Sequence, residues 1–300
     1  ATVKHWPGEG HDDRDQHLVT TINPLSLQDW EETHGQLYRA AINAGVLSVM
    51  SAHIALPAFV RAIDPTAGLE AFRPASVSRL LTHDLLREKL GFNGLIVSDA
   101  TPMAGFGAWG PRADMLPDCV NAGCDLILFS QDPAADYALI QTAIADGRIS
   151  ETRLHQAIIR TLGLKAALGL HHPQPKADPA PLGRQANREA ARNITARAPT
   201  LVKDTQQLLP LSPVKHRRLL IVSGGIVSPI HGITDFALPD MLAKEGFDIT
   251  LASAALNPKD FDAMLYLFGE ETLLTRGRIF LDWAKIAGNF HAAMDRHWHQ

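Results

Sequence analysis

The sequence has few cysteines, no long apolar run and no marked excess of either charge. Cys119 and Cys124 are its two cysteines, which excludes a disulfide scaffold and the paired clusters of a structural zinc site. No stretch approaches the ~20 apolar residues that a membrane span requires. The 28 basic and 32 acidic residues give a net charge of -4, without the basic stripe typical of nucleic-acid-binding proteins. What remains is a globular chain of 300 residues and 46% hydrophobic content, long enough for about two domains.

The two ends of the sequence indicate a piece of a longer protein. The opening residues, Ala1 to His5, lack the apolar segment of a signal peptide and are typical of the end of a buried strand. The last residues, His297 to Gln300, continue a helical pattern without a cap. We expect residues to be missing at the N-terminus, and no feature indicates a compartment.

Short apolar runs alternate with helical patterns through the first half of the chain. Strands are predicted at residues 46–50, 95–97 and 126–129, and helices at 27–44, 77–90, 112–121 and 150–168. This alternation predicts right-handed crossovers and a parallel sheet. A proline-rich segment at 171–183 predicts an extended linker. Beyond it we predict a second α/β region with helices at 184–198, 236–245 and 279–293, strands at 219–223 and 249–252, and an ambiguous segment at 264–268.

Ligands of parallel α/β proteins bind at the carboxyl ends of the strands, so polar residues at those ends are the strongest candidates for a functional site. Those ends carry Lys4-His5, Ala52-His53, Ser98-Asp99 and Ser130-Gln131. Asp99 follows an apolar run, where a carboxylate is costly unless it is solvated, paired or functional. Two interpretations of Asp99 stay open, a site residue or the cap of the next helix. For His53 a buried core histidine and a site residue are equally open.

A loop after His5 contains His11, Asp12, Asp13, Asp15 and His17 within seven residues. One interpretation is a solvated acidic loop, and a second is a divalent-metal site, although the spacing matches no specific metal motif. The third is an Asp-His pair, in which Asp15 orients and polarises His17 for proton transfer. Residues two apart on an extended loop face the same side, which makes that pairing feasible.

These motifs together resemble glycoside hydrolase family 3, and its β-N-acetylglucosaminidase branch in particular. The first stretch is similar to the family's Lys-His-Phe-Pro-Gly-His-Gly…Asp-Ser-His motif. Later stretches match the family in the same order, up to about residue 250. The matching segments are Lys4-His5-Trp6-Pro7-Gly8-Glu9-Gly10, Asp15-Gln16-His17, Val49-Met50-Ser51-Ala52-His53, residues 85–94, Val97-Ser98-Asp99 with Met103, Asn121-Ala122-Gly123-Cys124-Asp125, and Leu208-Leu209-Pro210-Leu211.

The resemblance implies an α/β fold, in which the C-terminal half of a (β/α)8 TIM-type barrel precedes part of an αβα sandwich. It implies a partial barrel over residues 1–170, a linker and connecting helix over 171–198, and a partial sandwich over 199–300. Family members are retaining glycosidases, and their aspartate nucleophile corresponds to Asp99. The acid/base dyad of the N-acetylglucosaminidase branch corresponds to Asp15 and His17. The expected substrate-binding residues are Lys4, His5, His53 and Met103.

The function implied is that of a retaining exo-glycosidase acting on terminal β-N-acetylglucosaminides such as peptidoglycan fragments. Its partner is a small carbohydrate, no metal or organic cofactor is implied, and the oligomeric state is not indicated. Glu9 departs from the family, since it replaces the usual second His of the glycine turn and adds negative charge. Ala100 stands where many members carry a second Asp. Since the family's earlier barrel strands supply further sugar-binding residues, we expect this piece alone to be poorly stable and inactive.

Three other functions compete with this one. A β-glucosidase of the same family typically takes its acid/base carboxylate from elsewhere, and the intact Asp15–His17 pair argues against it. A phosphorylase is favoured if the weakly charged dyad admits phosphate as the acceptor. A non-catalytic sugar-binding or nucleotide-binding protein is the last, and Gly224-Gly225 after a predicted strand is its best support.

Overall fold

The computed structural model describes residues 1–173, 176–224, 237–252 and 256–268. These residues form two compact units, one ending at residue 173 and the other beginning at residue 176. That boundary lies inside the proline-rich segment, which carries no helix or strand in its described part. The predicted helix at 279–293 and Gly225 of the glycine pair lie outside the described residues.

A four-stranded parallel sheet forms the centre of the first unit. Its strand order follows the order along the chain, β1-β3-β5-β6. Each of the three apolar runs predicted as strands overlaps one of these strands, although β5 extends three residues beyond its run, and β1 begins at the start of the chain. Two short strands, β2 and β4, pair in parallel beside it. The strands are β1 (Thr2–Trp6), β2 (Thr21–Ile22), β3 (Ser48–Ser51), β4 (Ile54–Ala55), β5 (Leu95–Ala100) and β6 (Leu126–Leu128).

Helices connect these strands, as the alternation of patterns predicts. The α-helices of this unit are α1 (Leu27–Trp30), α2 (Gln36–Asn43), α3 (Pro57–Ile63), α4 (Ala104–Gly107), α5 (Arg112–Ala122), α6 (Pro133–Ala145) and α7 (Glu151–Ala167). A π-helical turn, Glu31–Gly35, joins α1 to α2, and the predicted helix at 77–90 is π-helical over Leu80–Lys89. Helices α3, α4 and α6 were not predicted.

Aromatic residues fix the end of β1 in the core. Trp6 and Trp30 have no exposed surface, and the Trp6 ring meets Trp30 and Tyr38 edge to face at 5.7 and 4.7 Å between centroids. Buried indole N–H groups need acceptors. Trp6 Nε1 donates to the Leu81 carbonyl (3.2 Å), and Trp30 Nε1 donates to the Pro7 carbonyl (2.8 Å). The start of the loop after β1 is therefore held by core packing.

A buried carboxylate joins β5 to two helical segments. Asp125 has a fully buried side chain that accepts from Arg87 Nη2 at 2.9 Å and from Arg153 Nη2 at 2.8 Å. It also accepts from the Ile96 backbone N–H (3.1 Å), while Arg160 Nη1 lies 3.6 Å away. Desolvation lowers the pKa of Arg87 to about 10. Because a buried charge is costly unless it is paired, this cluster requires all of its members.

The second unit contains a three-stranded parallel sheet in the order β8-β7-β9. Its core is formed by Leu219, Ile221 and Phe247. The ambiguous segment at 264–268 is a strand, since it pairs with β7 along its length. The elements are α8 (Gln185–Arg197), β7 (Arg218–Gly224), α9 (Leu238–Lys244), β8 (Asp248–Leu251) and β9 (Ala263–Phe268). Across both units, none of the described helices has the length and apolar character to cross a membrane.

Candidate active site

The carboxyl ends of β1, β3 and β5 bring four of the predicted site residues together, with His53 at the centre. His53 follows β3, and its ring interacts electrostatically with Asp99, His17 and His5. These groups come from the end of β5, the loop after β1 and the end of β1 itself. The structure thus gathers at one edge of the sheet side chains that are up to 94 positions apart in sequence.

Asp99 is a mostly buried carboxylate with one unengaged oxygen. Its Oδ1 accepts from the Ala100 backbone N–H at 2.7 Å. Its Oδ2 is buried without a hydrogen bond from any described residue, and His5 Nε2 lies 3.7 Å from it. The capping interpretation is wrong, since the next helix, α4, begins after Met103 and has no side-chain cap. A carboxylate oxygen that accepts no hydrogen bond keeps its lone pairs for a ligand.

Asp15 and His17 form the predicted pair. His17 Nδ1 lies 2.6 Å from Asp15 Oδ1, and the His17 backbone N–H donates to the same oxygen at 2.8 Å. Both side chains are partly exposed. Because an ionised carboxylate only accepts, His17 carries a proton on Nδ1 and presents Nε2 away from Asp15. Nε2 is therefore the ring nitrogen of His17 that Asp15 leaves available for a further partner.

Contacts at several points hold the loop that carries this pair. Asp12 accepts from Arg14 and from the Ile22 backbone N–H, and the hydrogen bonds from Arg14 lower the pKa of Asp12 to about 2. The Ala104 N–H donates to the His17 carbonyl at 3.0 Å. Asp12 is therefore engaged within the loop. Among the residues that the structure describes, no three His, Cys, Asp or Glu side chains could hold a metal ion.

His53 has no exposed surface, and both of its ring nitrogens are engaged. Nε2 donates to the Ala100 carbonyl (3.0 Å), so Nδ1 accepts from the Ser76 hydroxyl (2.9 Å). Burial lowers the pKa of His53, which keeps the ring neutral. The ring thus supports the backbone beside Asp99. Direct substrate binding by His53 stays a prediction, and it would require the ring to give up one of these bonds.

The other two predicted binding residues differ in their exposure. Lys4 is exposed on β1, and no described residue forms an ion pair or hydrogen bond with its side chain. Met103 is 7% exposed and precedes α4, and its backbone N–H donates to the Ala100 carbonyl at 3.1 Å. Contact of either side chain with a substrate stays a prediction.

The sequence did not reveal that Gln16 and Arg112 bind backbone groups next to the candidate site residues. Gln16, 2% exposed, connects Glu9 to the backbone of His53. Arg112 donates to the Thr101 carbonyl and hydroxyl and pairs with Asp136. No local pattern marks such residues, because their partners are brought close by the fold alone.

The chain belongs to glycoside hydrolase family 3. The family model described as "Glycosyl hydrolase family 3 N terminal domain" matches residues 1–164. The fold is therefore the α/β fold with parallel sheets of that domain.

The relatives are named as glycoside-processing enzymes. A "Beta-N-acetylglucosaminidase/beta-glucosidase" of Cellulomonas fimi is 37% identical over 96% of this chain and 54% of its own length. A "Beta-hexosaminidase" of Nitrosomonas eutropha is 31% identical over 53% of this chain and 44% of its own length. The solved structure "Beta-glucoside phosphorylase BglX bound to 2FGlc" is 34% identical, with a TM-score of 0.84 over 94% of this chain and 54% of that chain. The chain spans about half the length of the relatives that it matches over most of its own length.

Proposed function

We propose that the full-length protein is a retaining exo-glycosidase that hydrolyses terminal β-N-acetylglucosaminides. In this proposal Asp99 is the nucleophile, and the Asp15–His17 pair is the acid/base. Lys4, His5 and Met103 contact the sugar, and His53 supports the nucleophile strand. The names of the relatives favour this class of substrate for the protein.

The observation that carries the proposal is the Asp15–His17 pair at 2.6 Å, beside the strand end that bears Asp99. Retaining hydrolysis needs a nucleophile on one side of the sugar and a proton donor on the other. The Ala104–His17 backbone bond links the loop to the segment just after Asp99, which supports action of the two groups on one substrate.

The chemistry proceeds in two displacements. Asp99 Oδ2 attacks the anomeric carbon as the bond to the leaving oxygen breaks, and His17 Nε2 gives its proton to that oxygen. Asp15 stabilises the imidazolium form of His17 before this transfer. Water then attacks the anomeric carbon, His17 takes its proton, and the bond to Asp99 breaks. The configuration at the anomeric carbon is retained.

The same proposal gives the finer architecture. In the four-stranded sheet of the first unit, the strands lie side by side in the same order as along the chain. This order is expected for part of a (β/α)8 barrel, whereas in a doubly wound sheet the strand order reverses at one point. Such a reversal occurs in the second unit, where β7 lies between β8 and β9, as in an αβα sandwich. We propose a partial barrel over 1–170, a linker and helix over 171–198, and a partial sandwich over 199–300.

A phosphorylase is the second candidate, because the phosphorylase structure is 34% identical to this chain with a TM-score of 0.84. The base that would face an incoming phosphate is the uncharged imidazole of His17 rather than a carboxylate, so it would repel that phosphate less. The glucoside substrates named for two relatives make a β-glucosidase a further outcome to test.

The test compares aryl β-N-acetylglucosaminide with aryl β-glucoside, with and without phosphate, in the full-length protein. Asp99→Asn and His17→Ala are compared with wild type, and Asp13→Asn serves as an exposed control in the same loop. We expect a preference for the acetamido sugar and a loss of roughly 100- to 10,000-fold in His17→Ala. Acceleration by phosphate would assign the phosphorylase. A glucoside preference with His17→Ala near wild type would refute the dyad.

A further inference from the structure

Glu9, the residue that departs from the family motif, lies at the centre of a chain of hydrogen bonds. Its Oε2 lies 2.6 Å from His5 Nδ1, and its Oε1 accepts from Gln16 Nε2 at 3.1 Å. Gln16 Oε1 in turn accepts from the His53 backbone N–H at 3.1 Å. Since a backbone N–H only donates, the orientation of the Gln16 amide is fixed, and its NH2 must face Glu9.

The same carboxylate determines the proton position on His5. The hydrogen bond with His5 lowers the pKa of Glu9, so its carboxylate is ionised and can only accept. His5 Nδ1 must therefore carry a proton. A ring held in this way is either a cation that donates from Nε2 or a neutral ring whose Nε2 accepts. That nitrogen faces Asp99 Oδ2 at 3.7 Å.

We propose that Glu9 is a positioning residue, which ties the loop bearing Asp15 and His17 to the ends of β1 and β3 and fixes the His5 ring nitrogen that faces Asp99. In the loop, this connection is made by Gln16, which lies between Asp15 and His17 in the sequence. The β1 end is His5 itself. The catalytic part of this inference rests on the proposed glycosidase function, whereas the proton position on His5 does not.

Substitution of Glu9 tests both effects. In Glu9→Gln the new side-chain oxygen faces the Gln16 amide, so its NH2 faces His5 Nδ1 and the ring must carry its proton on Nε2 instead. We expect kcat/KM to fall roughly 10- to 100-fold, by analogy with the loss found when partners that orient metal-binding histidines are removed. In Glu9→Ala both bonds disappear, and the loop loses this connection to the ends of β1 and β3 while its other contacts remain. The loss of kcat/KM in Glu9→Ala should be larger for substrates with less acidic leaving groups, because these groups depend most on proton donation.

The control is Glu32→Gln, an exposed glutamate that bonds Gln28 on the helical segment after the loop. The spectroscopic readout is a two-bond ¹H–¹⁵N correlation of histidine-labelled full-length protein, with His5 assigned from His5→Asn. We expect the proton on Nδ1 of His5 in wild type and in Glu32→Gln, and on Nε2 in Glu9→Gln.

An unchanged His5 spectrum in Glu9→Gln would overturn the proposal, and so would a kcat/KM equal to that of Glu32→Gln. A loss in Glu9→Ala that is the same for all leaving groups would show that the loop is not held for proton donation. If wild type hydrolyses no glycoside, the proposed function fails, yet the spectra still decide the link between Glu9 and His5.

Discussion

A methyl group at Gly105 tests how closely α4 must approach the loop that carries Asp15 and His17. A Cβ at this position would lie 2.4 Å from the Gln16 carbonyl oxygen, 2.9 Å from the Val19 carbonyl oxygen and 3.0 Å from His53 Cβ. Non-bonded heavy atoms prefer separations of ~3.5 Å, so the loop would have to move by about 1 Å. The two closest neighbours are backbone atoms, and no side-chain rotation relieves the overlap. The displacement therefore reaches the segment between Asp15 and His17.

A misplacement of about 1 Å can cost about 100-fold in rate, while overpacking costs about 1–3 kcal/mol of stability. We expect Gly105→Ala in the full-length protein to lose about 100-fold in kcat/KM and to remain folded. Gly107→Ala in the same helix is the control, because a Cβ there meets nothing within 4 Å. Turnover of an aryl glycoside and thermal unfolding are measured together. Folded Gly105→Ala with activity within twofold of Gly107→Ala would refute the reasoning.

Two further predictions concern stability. Asp125→Asn should lower the free energy of unfolding by about 3–5 kcal/mol in urea titrations, because it leaves buried arginines without their anion. An effect no larger than that of the exposed Asp146→Asn would contradict this. Burial lowers the pKa of His53, so the unfolded chain binds its proton first and the free energy of unfolding falls as pH drops below about 6.5. Between pH 7.5, 6 and 5, the free energy of unfolding should fall less in His53→Gln than in wild type. If it falls equally in the two proteins, His53 is not the source of the pH dependence.

The strands of the four-stranded sheet could be predicted, because buried parallel strands produce short apolar runs, whereas the two-residue strands β2 and β4 could not. Helix α6 was missed although the sequence signals it. Asp132 caps it by accepting from the Ala135 N–H at 3.0 Å, and Pro133 occupies its first turn. Its apolar residues extend around the helix, so helical periodicity gives no signal there.

The part of the candidate site whose interacting residues lie close together in the sequence could be predicted. Asp15 and His17 are two residues apart, a spacing that made their pairing feasible, and the family resemblance implied it. The neutral, fully engaged state of His53 was not predictable, because Ser76 and Ala100 reach it through the fold. The same holds for Glu9, which the motif marked as a departure without indicating its partners.

The Asp125 cluster also limits how far the first unit can be shortened. Two of the three arginines around this carboxylate, Arg153 and Arg160, are contributed by α7, the last helix of the unit. A truncation before residue 160 would leave this anion under-neutralised where it binds the Ile96 backbone N–H on β5, three positions before Asp99. The match to the family model ends at residue 164, shortly after the second of these arginines. Any shortened form of this unit that keeps both α7 charges beside Asp125 must therefore extend at least to residue 160.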